Sequence, residues 1–272
     1  MKAMTKCLRL ASLFVLFLGT QACTTIPGTN KHAFLVTSPE EEAKMGNSAY
    51  REILNKEKES TNLRDKKILL RVGNRIAQVA EARHQLGFKW EFKLIESKQP
   101  NAFCLPGGKV AVYTEILKIM QNEAALAMVL GHEVAHATLR HGGQRIAQNM
   151  AVSGLVGGAA LAGGFIKDRQ VRQVAISALG AGATIGLILP FSRSNESEAD
   201  AFGLEYAAEA GYDPREALNF WKRMSESGGN KPPEFLSTHP ADASRIQNLE
   251  ALLKEVEPLY LNSPKYGLGE KL

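Results

Sequence analysis

The chain has 272 residues, 44% of them hydrophobic and 22% charged, which is typical of a globular protein and excludes a disordered or collagen-like one. The formal net charge is +5, and three of the basic residues lie in the first 22 positions, where there is no acidic residue. No clustered basic face is evident in the remainder, so we predict no nucleic-acid partner.

The first 22 residues are predicted to be a signal peptide for export. A basic start precedes an apolar run over residues 10–18, which is too short to span a bilayer as a helix. Small residues then lead to the predicted cleavage site after Ala22. The basic residues are Lys2, Lys6 and Arg9.

Cys23 directly follows this leader, as in bacterial lipoproteins. We therefore predict that Cys23 is lipidated, that residues 23–37 form a tether, and that an acyl anchor holds the protein at a membrane surface. The expected location is the periplasmic face of the bacterial envelope, as an outer-membrane lipoprotein. Cleavage near Ala22 without lipidation is the alternative.

Residues 38–256 are predicted to form one α+β domain, mostly helical, with a small mixed sheet and a C-terminal tail over 257–272. A helix should begin after Ser38, which is a good N-cap with acids behind it. Strands are expected at Phe88–Leu94 and Lys109–Tyr113. Further helices are expected over about 63–84, 123–140, 194–210, 214–224 and 241–256.

Two uncharged segments rich in Gly and Ala lie at 150–166 and 174–191, separated by a charged stretch. We predict a helical hairpin over 150–191 that lies over or beside the functional site. Membrane insertion of the two segments is the alternative, because small residues allow close helix packing in lipid as well as in protein.

The strongest chemical signal is the sequence His132-Glu133-Val134-Ala135-His136. Residues i and i+4 of a helix project on the same side, so the two imidazoles can bind one Zn²⁺. Glu133 is rotated away from the metal and can act as general base on an activated water. Apolar neighbours predict that this helix is buried, where ionisable groups need a partner such as a metal.

A third ligand must come from elsewhere in the chain. The metzincin pattern would need His at 142, which is Gly here, and His141 is expected to point away from the two histidines. A distant carboxylate is the other source. Glu196 is the preferred ligand and Glu198 the fallback, while Asp200 is expected to accept the outer N–H of a ligand histidine.

These motifs resemble the gluzincin zinc peptidases of family M48, which include CAAX prenyl proteases and heat-shock membrane proteases. HEVAH is followed about sixty residues later by ESEAD, and the stretches 101–117 and 237–240 match as well. The resemblance covers roughly residues 40–256. It implies a minimal gluzincin architecture, Glu196 as third ligand and Asp200 as its motif partner. The leader resembles that of the exported lipoprotein branch.

Two further features bear on substrate binding. Lys109–Tyr113 is either an edge strand that holds an extended peptide or an interior strand. His239 either donates to the oxyanion of the tetrahedral intermediate or closes the fourth metal position at rest, with a turn residue as the simpler interpretation. Arg193 and Arg245 are weaker candidates for an electrostatic role.

The predicted function is that of a zinc endopeptidase with one Zn²⁺ per chain, held by His132, His136 and Glu196. Glu133, Asp200 and His239 complete the catalytic set. The expected substrates are misfolded or unassembled envelope proteins. A periplasmic chaperone or assembly factor with a zinc site that is not primarily proteolytic, and an integral-membrane protease, are the alternatives.

Overall fold

The computed structural model describes residues 23–26, 28–29, 31–152, 191–227, 234–240 and 243–272. Within them it is α+β and mostly helical with small sheets, so the predicted fold class is confirmed. The predicted signal peptide at 1–22 lies outside these residues, as does most of the predicted hairpin at 150–191. Of the described helices, none is both long enough and apolar enough to cross a membrane.

The N-terminal strands and helices are β1 (Cys23–Thr25), β2 (His32–Phe34), α1 (Pro39–Lys56) and α2 (Leu63–His84). They are followed by β3 (Glu91–Ile95), β4 (Ala102–Leu105), β5 (Lys109–Tyr113), α3 (Thr114–Met120), α4 (Glu123–Thr138) and α5 (His141–Val152). The C-terminal part contains α6 (Arg193–Glu209), α7 (Glu216–Glu226), α8 (Glu234–Thr238) and α9 (Ala243–Asn262).

The helix starts follow local capping chemistry. Ser38, the predicted N-cap, caps α1 in a capping box with Glu41. Helix α4 starts at the predicted position 123, and the Asn122 side chain accepts the backbone N–H of Ala125 there. Helix α6 begins earlier than predicted, because the Ser192 hydroxyl accepts the backbone N–H of Asn195. The helix therefore starts at Arg193, one residue before the predicted start at 194.

Residues 23–37 differ from the predicted tether. Strands β1 and β2 pair in an antiparallel hairpin, and the adjacent Ile26 and Leu35 are 2% and 5% exposed in the main core. Burying two branched apolar side chains favours docking over an extended chain. The C-terminus differs too: α9 continues past residue 256, and the backbone of Leu272 donates to Gln121 beside the start of α4.

The main sheet has three strands in the order β3-β5-β4. Strand β3 runs parallel to β5, and β4 runs antiparallel to it. Strand β5, the predicted Lys109–Tyr113, is therefore the interior strand, and the alternative of an edge strand is wrong. Strand β4 forms the edge that packs on α4.

Helices α4 and α6 cross at a pair of glycines, which lets their backbones touch. A Cβ at Gly131 would lie 2.4 Å from the carbonyl oxygen of Gly203, and a Cβ at Gly203 would lie 2.6 Å from the backbone nitrogen of His132. Both contacts are with backbone, which cannot swing aside. This crossing therefore fixes how closely the two halves of the predicted metal site approach each other.

Replacing Gly203 with Ala is expected to force the two helices apart. We expect the free energy of unfolding to fall by about 1–3 kcal/mol, the usual cost of overpacking, and zinc affinity to fall with it. Denaturant unfolding measures the first effect. The control Ala201→Ser, on the same helix but half-buried, should change stability by less than about 0.5 kcal/mol. Equal stability of both variants would contradict the close crossing.

Candidate metal centre

The HEVAH segment lies in the second half of α4, a helix whose residues are all buried. His132 and His136 are 5% and 2% exposed, so their rings are withdrawn from water. Glu196 and Asp200 lie in the first half of α6, which packs against α4. The glycine crossing therefore places the two sequence motifs face to face.

Four buried side chains converge on one point. The metal-binding atoms of His132, His136, Glu196 and His239 all lie within 4.8 Å of one another. The Nε2 atoms of His132 and His136 are 3.0 Å apart, and the His239 Nδ1 lies 3.2 Å from the His132 Nε2. The predicted histidine pair and the predicted distant carboxylate are thus brought together.

The spacing of these atoms fits a tetrahedral ion. Donors placed about 2.0–2.1 Å from a tetrahedral zinc lie about 3.3 Å from each other. Glu196 oxygens lie 3.4 Å from the Nε2 of His132 and 3.4 Å from the Nε2 of His136. They also come within 3.1 Å of the His239 Nδ1. The donor set, nitrogen and one carboxylate, is the set that zinc prefers.

Asp200 lies behind His132. Its Oδ1 is 2.9 Å from the His132 Nδ1, on the side of the ring away from the cluster. Arg245 of α9 donates to both carboxylate oxygens of Asp200, at 2.6 and 2.7 Å, and its Nη1 is 2.6 Å from a Glu196 oxygen. Arg245 therefore has a central electrostatic position, whereas Arg193 is exposed at the start of α6.

Glu133 faces the cluster from the side of β4. Burial raises the pKa of Glu133, against the opposite effects of His239 and His132, and the backbone N–H of Cys104 in β4 hydrogen-bonds to it. The nearest carboxylate oxygen is 3.4 Å from the His239 Nε2. A carboxyl whose pKa is raised toward neutrality is suited to accept and return a proton.

The electrostatics of the cluster favour one anion among several imidazoles. Burial alone would raise the pKa of Glu196, but the surrounding histidines, His239 first, lower it well below its usual range. Burial lowers the pKa of His136. For His132, hydrogen bonds to Asp200 and Glu196 outweigh burial and raise the pKa to about 9. A metal that binds His132 must therefore displace a proton.

The position of His141 differs from the expectation that this residue points away from His132 and His136. An unbroken helix would turn position 141 well away from position 136, but α4 ends at Thr138 and Arg140 adopts a positive φ of 56°. The chain reverses there, and the His141 Nδ1 comes to lie 3.0 Å from the His136 Nδ1. Glu198, the fallback ligand, lies outside the cluster and 3.5 Å from the His141 Nε2.

Sequence reasoning missed Phe191 and Arg145. The Phe191 ring stacks on His136 with centroids 4.0 Å apart, and the Arg145 guanidinium lies 3.9 Å from the Phe191 centroid. Neither residue belongs to a motif with metal-binding spacing, so no local pattern pointed to them. They form a wall of the site that depends on the tertiary packing alone.

Comparison with known proteins gives one family and several curated relatives. The model of peptidase family M48 matches residues 63–253. The mitochondrial metalloendopeptidase OMA1 of Schizosaccharomyces pombe is 34% identical over 85% of this chain and 67% of its own length. Its namesake in Saccharomyces cerevisiae is 29% identical over 89% and 72%. The beta-barrel assembly-enhancing protease of Yersinia pestis is 31% identical over 69% of this chain and 38% of its own length.

The mitochondrial relatives overturn the predicted location. The predicted location, on the periplasmic face of the bacterial envelope, is wrong, because the OMA1 relatives of Schizosaccharomyces pombe, Saccharomyces cerevisiae and Arabidopsis thaliana are mitochondrial proteins. The physical reason is that a leader with basic residues and no acid is common to export signals and mitochondrial transit peptides. The predicted lipidation of Cys23 depended on that location and stays an untested prediction.

Proposed function

Since the chain belongs to peptidase family M48 and is a zinc metalloendopeptidase, we propose which residues carry its chemistry. His132, His136 and Glu196 hold the zinc, and Glu133 is the general base. The single observation that supports this most strongly is the convergence of these ligand atoms at tetrahedral spacing. The test is cleavage of unfolded casein that stops on chelation and is lost in the variant Glu133→Gln.

Each protein group has a distinct task in this proposal. Zinc, when bound, supplies a Lewis acid that lowers the pKa of water and stabilises the oxyanion. Glu133 removes the proton from the attacking water and delivers it to the leaving amine. Asp200 holds the His132 ring so that its Nε2 is presented as a ligand, and Arg245 holds Asp200 in turn.

The substrate is proposed to add to the β4 edge. Asn101 pairs with β5 through its carbonyl, which accepts the N–H of Tyr113. Because the hydrogen-bonding direction alternates along a strand, the main-chain groups of Ala102 and Cys104 point away from β5. The Cys104 N–H already donates a hydrogen bond to the Glu133 carboxylate. The Ala102 N–H donates to the Asn101 Oδ1 at 2.9 Å. The carbonyls of Ala102 and Cys104 are therefore the groups proposed to align an extended peptide beside the general base.

Main-chain recognition selects extended chain and not a particular side chain. We therefore propose that the substrates are unfolded or unassembled proteins, which present extended segments. The name of the Yersinia pestis relative joins a protease with β-barrel assembly, which agrees with unassembled membrane proteins as one such class.

His239 is proposed to close the fourth metal position at rest. Its Nδ1 lies among the ligand atoms, 3.2 Å from the His132 Nε2 and 3.1 Å from Glu196. A catalytic zinc site needs an open position for water, whereas a closed set of four protein ligands is typical of structural sites. His239 must therefore withdraw before hydrolysis.

Replacing His239 with Ala is expected to raise kcat/KM on unfolded casein about threefold to tenfold. A gain of this size corresponds to an open state populated at roughly 10–30% in the parent protein. Zinc should stay bound through the other three ligands. A fall in activity of tenfold or more with zinc retained would contradict the resting-ligand role and favour oxyanion donation.

A further inference from the structure

The two histidines of the HEVAH segment are supported differently on their outer nitrogens. The His132 Nδ1 meets the Asp200 carboxylate directly, at 2.9 Å. The His136 Nδ1 meets a second imidazole, His141, with the two Nδ1 atoms 3.0 Å apart. In both rings the Nε2 faces the metal-binding cluster and the Nδ1 faces away from it.

His141 is enclosed by protein. Its side chain is 0% exposed, and its Nε2 lies 3.5 Å from a Glu198 carboxylate oxygen. The other Glu198 oxygen lies 2.6 Å from the Nζ of Lys31, next to the N-terminal hairpin. A row of groups thus leads inward from Lys31 through Glu198 and His141 to His136.

The proton positions along this row follow from the chemistry of imidazole. A histidine that binds a metal through Nε2 carries its proton on Nδ1, so His136 donates to His141. The His141 Nδ1 is then the acceptor, and its own proton lies on Nε2. That N–H faces Glu198, which is a carboxylate and only accepts. Every group in the row therefore has one consistent role.

We propose that His141 and Glu198 are positioning residues for His136: they fix its tautomer and ring orientation as Asp200 does for His132. The inference rests on the proposed ligand set, because it presupposes that His136 binds zinc through Nε2. It assigns a role to Glu198 that differs from ligation. It also explains why the chain reverses at Arg140, since an unbroken helix would carry His141 away from His136.

The positioning role is tested by measuring the zinc affinity of the purified full-length chain in competition with a chromophoric chelator. His141→Leu removes the acceptor and should weaken zinc binding 10–100-fold, the usual effect of losing such a partner. His141→Asn places an amide oxygen near the Nδ1 position and should bind within about threefold of the parent. Glu198→Gln keeps the shape, loses the charge and should weaken binding about threefold to tenfold.

Thr138→Ala is the matched control. Thr138 is buried near the same helix end and bonds to Tyr206, outside the row. Its loss should lower stability and leave zinc affinity unchanged. If His141→Leu and Glu198→Gln behave like this control, the positioning role is wrong. If His141→Leu fails to fold, unchanged affinity in Glu198→Gln alone overturns the proposal.

The variant His136→Ala separates this inference from the ligand assignment. It should weaken zinc binding by more than His141→Leu does, because it removes the ligand itself. If His136→Ala binds zinc like the parent, the proposed ligand set fails. If His136→Ala loses zinc while His141→Leu and Glu198→Gln retain the parental affinity, only the positioning role fails.

Discussion

Replacing Glu133 with Gln is expected to lower kcat/KM on unfolded casein by about 10²–10⁴-fold, the usual contribution of a general base. This corresponds to about 3–5 kcal/mol of transition-state stabilisation. Gln has nearly the same shape as Glu but accepts no proton at neutral pH. Because Glu133 lies outside the ligand set, zinc content should stay at one ion per chain. Cleavage rate and metal content are measured on the same preparation.

Glu123→Gln is the matched control for this variant. Glu123 is also a buried carboxylate of α4, 2% exposed, but it pairs with Arg71 at the opposite end of the helix. Its replacement should cost stability and leave the rate per folded molecule unchanged. Parental cleavage by Glu133→Gln would refute the mechanism. If, in addition, cells carrying that variant were indistinguishable from the parent, the non-proteolytic chaperone would become the better description.

Replacing Glu196 with Gln is expected to weaken zinc binding on the order of 100-fold or more and to abolish hydrolysis. Losing a residue that only hydrogen-bonds to a metal ligand already lowers metal affinity 10–100-fold. Glu196 is proposed to bind the metal itself, and it is the only anion among the four converging groups. A hundredfold loss removes about 2.7 kcal/mol of zinc-dependent stabilisation at saturating zinc. The zinc-induced rise in Tm should shrink accordingly.

Glu205→Gln provides the comparison for this second variant. Glu205 lies on the same helix, α6, and pairs with Arg83 away from the cluster. It should bind zinc and show a zinc-induced Tm rise like the parent. Parental zinc affinity in Glu196→Gln would remove the third ligand from the proposed site, and with it the assignment of His132 and His136 to a catalytic zinc.

Several structural features could be predicted from local patterns. These are the start of α1 after Ser38, the bounds of α2 and the start of α4 at Glu123, all of which depend on capping and periodicity within a few residues. The HEVAH spacing likewise fixes the relation of His132 and His136, since both lie on one helix. The less regular α9 was predicted to end six residues too early, because Pro258 interrupts its pattern.

The sequence by itself determined the chemistry of this protein: two histidines a helical turn apart, a carboxylate between them, and acids available at a distance. The tertiary structure decided which acid joins them, because only the crossing at Gly131 and Gly203 brings Glu196 to the histidines and leaves Glu198 behind His141. Strand order and the chain reversal at Arg140 were likewise decided by packing between distant segments, which local spacing does not encode.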